Sequence, residues 1–271
     1  MSKLTFLGTG TSQGVPMIGC NCNVCKSTDS RDKRLRASVY VEYEGLKVLV
    51  DAGPDFREQM LREGIASVDA ILLTHNHKDH TGGLDDIRAF NYREKKATQI
   101  YCEKYVEDSL RMEYSYAFAE KKYPGAPEWD VHIIDDQPFT IKGVEITPIR
   151  GRHYKLPVLG YRFGNIAYCT DMNHIPEEEF EKLKGLDHFI INTVAALRRH
   201  KFIDRIVVAV DVHQRASGHS YQKGKIVGLQ IAAGNNQVII LQPAGNIVIP
   251  QGGTFFIGDG QNLHNGASPS L

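Results

Sequence analysis

The segment Thr74-His75-Asn76-His77-Lys78-Asp79-His80 packs three imidazoles and one carboxylate into the six positions from 75 to 80. Imidazole nitrogens and a carboxylate oxygen at that density point to metal ligation. The competing reading is a polar loop whose histidines cap a helix and bind nothing; it suits a single histidine better than three with an aspartate. His75 and His77, two apart, can converge on one cation if the backbone stays near-extended. Asp79 and His80, emerging after a turn, can address a second. Mixed nitrogen and oxygen ligands suit zinc, manganese or iron.

Such ligands need rigid elements on either side. Val68-Asp69-Ala70-Ile71-Leu72-Leu73 is the apolar run of a strand buried on both faces, and it delivers the histidines at its end. Behind them, Thr81-Gly82-Gly83-Leu84-Asp85-Asp86-Ile87 allows a tight turn and then the first turn of a helix. Upstream, residues 37–43 and 46–50 read as a hairpin around Glu44-Gly45, ending at Asp51. Pro54 then favours a helix through about Arg62. Downstream, residues 103–121 read as one amphipathic helix whose aromatics belong to the core. Strands follow at 131–134 and 144–149, with His132 structural. A hairpin-like pair at 161–163 and 166–168, an exposed helix at 177–184 and strands at 188–192 and 205–213 complete the pattern.

Two further segments carry chemistry. Gly8-Thr9-Gly10-Thr11-Ser12-Gln13-Gly14-Val15-Pro16 offers backbone N–H groups and hydroxyls that could lie against a phosphate, although it lacks the Gly-Lys-Ser/Thr ending of a Walker loop and a plain turn stays open. Cys20, Cys22 and Cys25, in C-x-C-x-x-C spacing, let three thiolates surround one zinc, with free surface thiols as the alternative.

With 271 residues, 42% of them hydrophobic, the chain can bury the core of one large catalytic domain. Lys+Arg and Asp+Glu balance at 32 each, so there is no global basic field of the kind that holds polymeric nucleic acid, and a small anion is the better partner. No apolar run reaches membrane-spanning length and the N-terminal one is too short for a signal peptide. Five cysteines, three of them crowded, suit metal binding in a reducing compartment. The expectation is a cytoplasmic protein with no membrane contact; a homodimer is compatible with it.

The H-x-H-x-D-H pattern with its glycine-rich turn resembles the metallo-β-lactamase superfamily. That resemblance implies an α/β (α+β) fold, a four-layer αββα sandwich, and hydrolase activity. It does not imply the substrate, because the fold hosts β-lactamases, glyoxalase II, tRNA 3′-processing nucleases and phosphodiesterases. It also implies that His153 is the next histidine ligand, that Asp171 bridges the two cations, and that Asp51 braces the metal-binding loop.

The glycine-rich segment 8–16, the three cysteines, Asp51-x-Gly53-Pro54-Asp55-Phe56 and Gly83-Leu84-Asp85-Asp86-Ile87-Arg88 together look like the PhnP-type cyclic phosphodiesterases of phosphonate breakdown, over roughly residues 3 to 200. This implies two divalent cations, manganese or zinc, and a structural zinc on Cys20, Cys22 and Cys25. The implied substrate is small and phosphorylated: a 5-phosphoribosyl 1,2-cyclic phosphate or a 2′,3′-cyclic nucleotide, opened by a water activated between the cations. Asp79 is then a ligand rather than a free base. His200 is a candidate to hydrogen-bond the phosphate or protonate the leaving oxygen, with a plain surface histidine equally open.

Such proteins carry a Thr-His-x-x-His motif after a later strand, which this chain lacks. His213 is the nearest equivalent of its first histidine, as a ligand of the second cation, and His219 a candidate for the second. The expected division is a catalytic domain over 1–213 and an atypical β-rich, low-charge segment over 214–271, which could complete the fold; after Lys225 the only Lys, Arg, Asp or Glu is Asp259. The alternatives are a thioesterase of the glyoxalase II type, an RNA 3′-end nuclease, or a non-catalytic binding module if the C-terminal ligand is missing.

Overall fold

A computed structural model describes residues 2–193 and, beyond them, the backbone of three strands at 206–210, 239–241 and 254–257. In chain order the strands are β1 (Ser2–Gly8), β2 (Ser38–Tyr43), β3 (Leu46–Val50), β4 (Ala70–Leu72), β5 (Thr98–Cys102), β6 (Trp129–Ile133), β7 (Phe139–Ile141), β8 (Val144–His153), β9 (Leu156–Phe163), β10 (Ile166–Thr170), β11 (His188–Thr193), β12 (Ile206–Val210), β13 (Ile239–Leu241) and β14 (Thr254–Ile257). They form two seven-stranded sheets, ordered β14-β1-β2-β3-β4-β5-β6 and β13-β12-β11-β10-β9-β8-β7. In the first, β3 to β6 run parallel; in the second, β10 to β13 do.

Alternation along the strands stacks these sheets face to face. Leu46, Val48 and Val50 of β3 enter the cluster between the sheets, while Leu49 enters the one beneath the helices. Ala70 and Leu72 against Ile71 repeat the pattern in β4, and Ile166 and Tyr168 against Ala167 and Cys169 repeat it in β10. A fully buried Leu, Ile or Val contributes about 1.5–3 kcal/mol, so the inter-sheet cluster, with Leu4, Val39, Leu159 and Phe163 at 2% exposure or less, is the principal adhesive of the fold.

The outer face of the first sheet is covered by α2 (Phe56–Glu63), α4 (Arg88–Glu94) and α5 (Lys104–Glu113), while α1 (Asn23–Lys26) and α3 (Lys78–Thr81) are single turns. The outer face of the second carries Ile175, Leu183 and Leu186. Layers of helix, sheet, sheet and short helical turns make this the metallo-β-lactamase fold expected from the sequence. Among the described residues no helix is long and apolar enough to cross a membrane.

Three helices differ from the sequence reading. The helix expected over 103–121 stops at Glu113 and gives way to a 3-10 turn, Ser115–Ala117; Tyr114 drops into the core, its hydroxyl donating to the Thr81 carbonyl at 2.9 Å and its ring edge-on to Trp129. The exposed helix expected over 177–184 is a 3-10 segment, Glu177–Leu183, and is not solvated throughout. Its Glu179 is buried and accepts the Arg150 N–H at 2.7 Å, and Leu183 is 1% exposed. The helix expected from Pro54 starts at Phe56, because Asp55 is held by Arg36, whose guanidinium and backbone N–H reach its two oxygens at 2.7 and 2.8 Å. Of the segment 214–271, the described strands β13 and β14 pair with β12 and β1 at the sheet edges.

Candidate metal centre

The candidate residues gather on one rim of the sandwich, at strand ends and on the single turn α3, which carries Asp79 and His80. Asp51 follows β3, Thr74 and His75 follow β4 and Asp171 follows β10, at the ends of parallel-paired strands where open sheets present their ligands, while His153 ends the antiparallel β8. The rim is tied across the two sheets: Leu159 N donates to the Thr74 carbonyl at 3.0 Å, and the Tyr161 hydroxyl to the Leu73 carbonyl at 2.6 Å. The loop carrying Asp79 and His80 is laced to the strap after Asp51 by Ala52 N to His80 O, 2.8 Å, and Gly83 N to Ala52 O, 2.9 Å. Only glycine allows this approach: a Cβ on Gly53 would meet the Asp79 carbonyl oxygen at 2.0 Å, and one on Gly83 the Gly53 oxygen at 2.1 Å.

Asp51, fully buried, is the hub. Its Oδ1 accepts Thr74 N–H at 2.8 Å, and its Oδ2 accepts the Thr74 hydroxyl at 2.9 Å and lies 2.6 Å from His80 Nδ1. Since an ionised carboxylate only accepts, His80 must donate from Nδ1, which aims Nε2 the other way. There it meets Asp171 Oδ2 at 2.9 Å and Asp79 Oδ2 at 3.3 Å. Burial alone would lower the His80 pKa, but Asp51, then Asp171 and Asp79, outweigh it and raise it well above the ordinary value.

A second relay sets His75. The single Thr74 hydroxyl proton goes to Asp51, so that oxygen can only accept from His75 Nδ1, 2.9 Å away. His75 is therefore the Nδ1–H tautomer. Burial, followed by the neighbouring His80, pushes its pKa down to about 2, so the ring is neutral. Its Nε2 is buried, has no hydrogen-bond partner, and faces Asp171 Oδ2 at 3.9 Å. A buried lone pair aimed at a carboxylate makes no sense as a hydrogen bond and fits a cation placed between them.

The other histidines close around this point. His77, at the solvent opening, has its ring centroid 4.6 Å from that of His75 and 5.3 Å from that of His153; His75 and His80 are 4.2 Å apart. His153 Nδ1 is likewise buried without a partner. Asp79 is opposed by burial but held down to about 2 by His80 beside it, and Asp171 is lowered in the same way. Both Asp51 and Asp171 sit in left-handed backbone, φ 63° and 55°, a conformation that Asp tolerates better than most residues and that clusters at functional sites. Imidazole nitrogens together with the carboxylates of Asp79 and Asp171, both held down, are a donor set that fits divalent cations. Ligand atoms of His75, His80 and Asp171 lie within 4.8 Å of one another, with Asp79 beside His80 and the rings of His77 and His153 alongside. His200 and His213 fall outside the described residues.

Sequence reasoning singled out each of these candidate ligands but gave Thr74 no role. Its signal was available only in part: a hydroxyl residue directly before the first histidine. The glycine-rich loop has its amides otherwise engaged, Gly10 on Leu35 O, Gln13 and Gly14 on Thr11, and Val15 on Arg34 O; those four N–H groups are not offered to a phosphate.

Away from this rim, Cys20, Cys22 and Cys25 bring their sulfurs within 4.8 Å of one another. Cys22 caps α1, and its sulfur accepts Cys25 N–H at 3.5 Å; the Cys25 sulfur accepts Met17 N–H at 3.3 Å. Cys25 N–H lowers the Cys22 pKa, whereas burial raises that of Cys25. Among the described residues no fourth ligand joins the three, and His219 lies outside them. If this cluster holds zinc, Cys22→Ser should cost on the order of 2–3 kcal/mol, a fall in Tm of roughly 5–10 °C in a chain of this size, with the loss of one zinc and a nearly unchanged specific activity. Equal melting curves in the presence of zinc would mark the three as ordinary thiols.

Comparison with known proteins adds four findings. Residues 47–238 match the family described as the beta-lactamase superfamily domain. A crystal structure of a diphosphatase from the PhnP family is 35% identical and superimposes with a TM-score of 0.68, covering 78% of this chain and 86% of that one. An octanoyltransferase of Porphyromonas gingivalis (strain ATCC BAA-308 / W83) is 42% identical over 211 residues, 77% of this chain but 42% of that protein. Zn(2+)-bound PqqB from Methylobacterium extorquens, 19% identical with a TM-score of 0.55 over 70% of this chain and 72% of that one, is a likeness of fold alone. The chain spans half the length, or less, of the curated relatives it matches.

Proposed function

The chain belongs to the beta-lactamase superfamily, with the metallo-β-lactamase fold and a likeness to the PhnP family, and from that premise we propose a two-metal hydrolase that opens a small cyclic phosphodiester. The observation that carries the metal-dependent part is the unpartnered, buried Nε2 of His75 facing Asp171, beside the Nε2 of His80. Support for a phosphoryl substrate comes from the 35% identity to a PhnP-family diphosphatase across 78% of the chain; the choice of an ester rests on the PhnP-type motifs of the sequence.

Divalent cations bound here would supply Lewis acidity for water activation and positive charge against a phosphoryl group that carries a negative one. The protein's part is orientation. Asp51 fixes the Nδ1–H tautomer of His80, and Thr74 passes the same constraint to His75. Asp79 and Asp171 stay ionised and supply acceptor oxygens only, so neither is proposed to shuttle a proton. His200 is proposed to hydrogen-bond the phosphate or protonate the leaving oxygen, and His213 to complete the second position. The catalytic domain is proposed to run over 1–213, the protein to be cytoplasmic, and the cations to be manganese or zinc.

The name of the 35%-identical relative favours a second reading, cleavage of a diphosphate. Octanoyl transfer is not adopted: the match covers 42% of that relative, and the groups converging at this rim are imidazoles and carboxylates. The test is one screen of the manganese- and the zinc-loaded protein against 5-phosphoribosyl 1,2-cyclic phosphate, 2′,3′-cyclic nucleotides, bis(p-nitrophenyl) phosphate, a diphosphate diester and a glutathione thioester. Turnover of cyclic phosphates with about two metals per chain beyond any cysteine zinc is the expected result. Preference for the thioester, or fewer than two metals after reconstitution, would overturn it.

A further inference from the structure

The turn between β8 and β9 is two residues long, Tyr154-Lys155, with His153 paired to Leu156 across it. Tyr154 adopts left-handed backbone, φ 56°, in a position that tight hairpins usually give to Gly, Asn or Asp. For a bulky aromatic this is an unfavourable conformation, and the ring gains nothing from burial in return, because Tyr154 is 73% exposed. The strained turn is nevertheless pinned. Tyr154 N–H donates to Asn173 Oδ1 at 3.1 Å, Arg152 N–H to the His174 carbonyl at 2.9 Å, and Asn173 N–H to the Arg152 carbonyl at 2.9 Å. The turn is thereby locked to the segment directly after Asp171. Its ring stands 5.3 Å from the His153 ring, which is itself 5.3 Å from His77. The backbone that carries this exposed aromatic is thus fixed at the lip of the site, flanked by the exposed Arg152 and Lys155.

We propose that Tyr154 is a specificity-determining residue whose ring stacks on the planar base of a nucleotide substrate, so that the enzyme takes nucleotide phosphates in preference to base-free sugar phosphates. Stacking suits this position because every base presents a π-face, the ring is open to solvent beside His153, and the backbone that carries it is already ordered before a ligand arrives. The inference rests on the phosphate-ester reading above and narrows its substrate class.

The experiment measures calorimetric binding of AMP and of ribose 5-phosphate to the metal-loaded protein, in wild type and in the Tyr154→Phe, Tyr154→Ala and Tyr154→Gly variants. Wild type and Tyr154→Phe should bind AMP at least about tenfold more tightly than ribose 5-phosphate. Tyr154→Ala should lose that preference while its ribose 5-phosphate affinity and metal content stay at the wild-type level. Tyr154→Gly should do the same with a Tm no lower than wild type, since glycine suits the left-handed turn. A wild type without preference for AMP, an unchanged preference in both small variants, or an equal loss for both ligands would each overturn the proposal. A protein that shows the Tyr154-dependent preference but hydrolyses no phosphate ester would overturn the reaction and leave the stacking role standing; an active enzyme without the preference would do the reverse.

Discussion

Asp171→Asn is expected to lower hydrolysis by about a thousandfold or more and to reduce the rim to one metal or none. Asparagine keeps the size of the side chain and, like aspartate, tolerates the left-handed backbone at this position, φ 55°, so the fold should survive. What it loses is a negative charge 2.9 Å from His80 Nε2 and 3.9 Å from His75 Nε2. In a two-cation centre an amide would offer its carbonyl to one cation and would not offset their mutual repulsion. Removing one preorganised electrostatic group from an active site ordinarily costs 10²–10³ in rate, and loss of a cation would add to it. Elemental analysis and single-turnover rates on the same preparation would check this; two bound metals with a wild-type rate would remove Asp171 from the centre.

Asp51 is expected to matter as much to folding as to chemistry, although nothing places it against a substrate. Asp51→Ala would leave His80 Nδ1, Thr74 N–H and the Thr74 hydroxyl without their acceptor in a fully buried setting. Breaking a buried, hydrogen-bonded charge pair costs about 3–5 kcal/mol, which corresponds to a Tm lower by roughly 6–20 °C. Alanine also inherits a backbone φ of 63° that it adopts poorly. Asp51→Asn separates the two roles. Its amide oxygen can still accept from Thr74, but an amide N–H facing His80 would demand a lone pair on Nδ1 and place the proton on Nε2, the wrong tautomer for a ligand. Metal affinity should then fall about 10- to 100-fold with a smaller loss of Tm. Metal titration of Asp51→Asn with wild-type affinity would refute the relay.

Much of this centre was legible because its information is local. Three histidines and an aspartate in six positions carry their chemistry wherever the chain goes, and an apolar run before them reads as a strand. The hairpin at 38–50 announced itself by alternation and by Glu44-Gly45, whose positive φ angles of 49° and 80° the turn requires. The expected helix at 177–184 misled for a matching reason: a row of glutamates reads as a solvated face, yet Glu179 turns inward to meet Arg150.

The sequence by itself therefore determined the kind of chemistry, the ligand types, the strands that end in them and, through resemblance, the superfamily. Only the tertiary structure decided which nitrogen of His75 and of His80 is available, because these tautomers follow from a chain of hydrogen bonds that starts at Asp51 and joins residues far apart in the sequence: Asp51 to His80 across 29 positions, and His80 to Asp171 across 91. The structure also placed Thr74 in hydrogen bonds with both Asp51 and His75, and Tyr154 beside His153. Neither has a composition or spacing that marks it, since the role of each comes from what the two packed sheets bring against it.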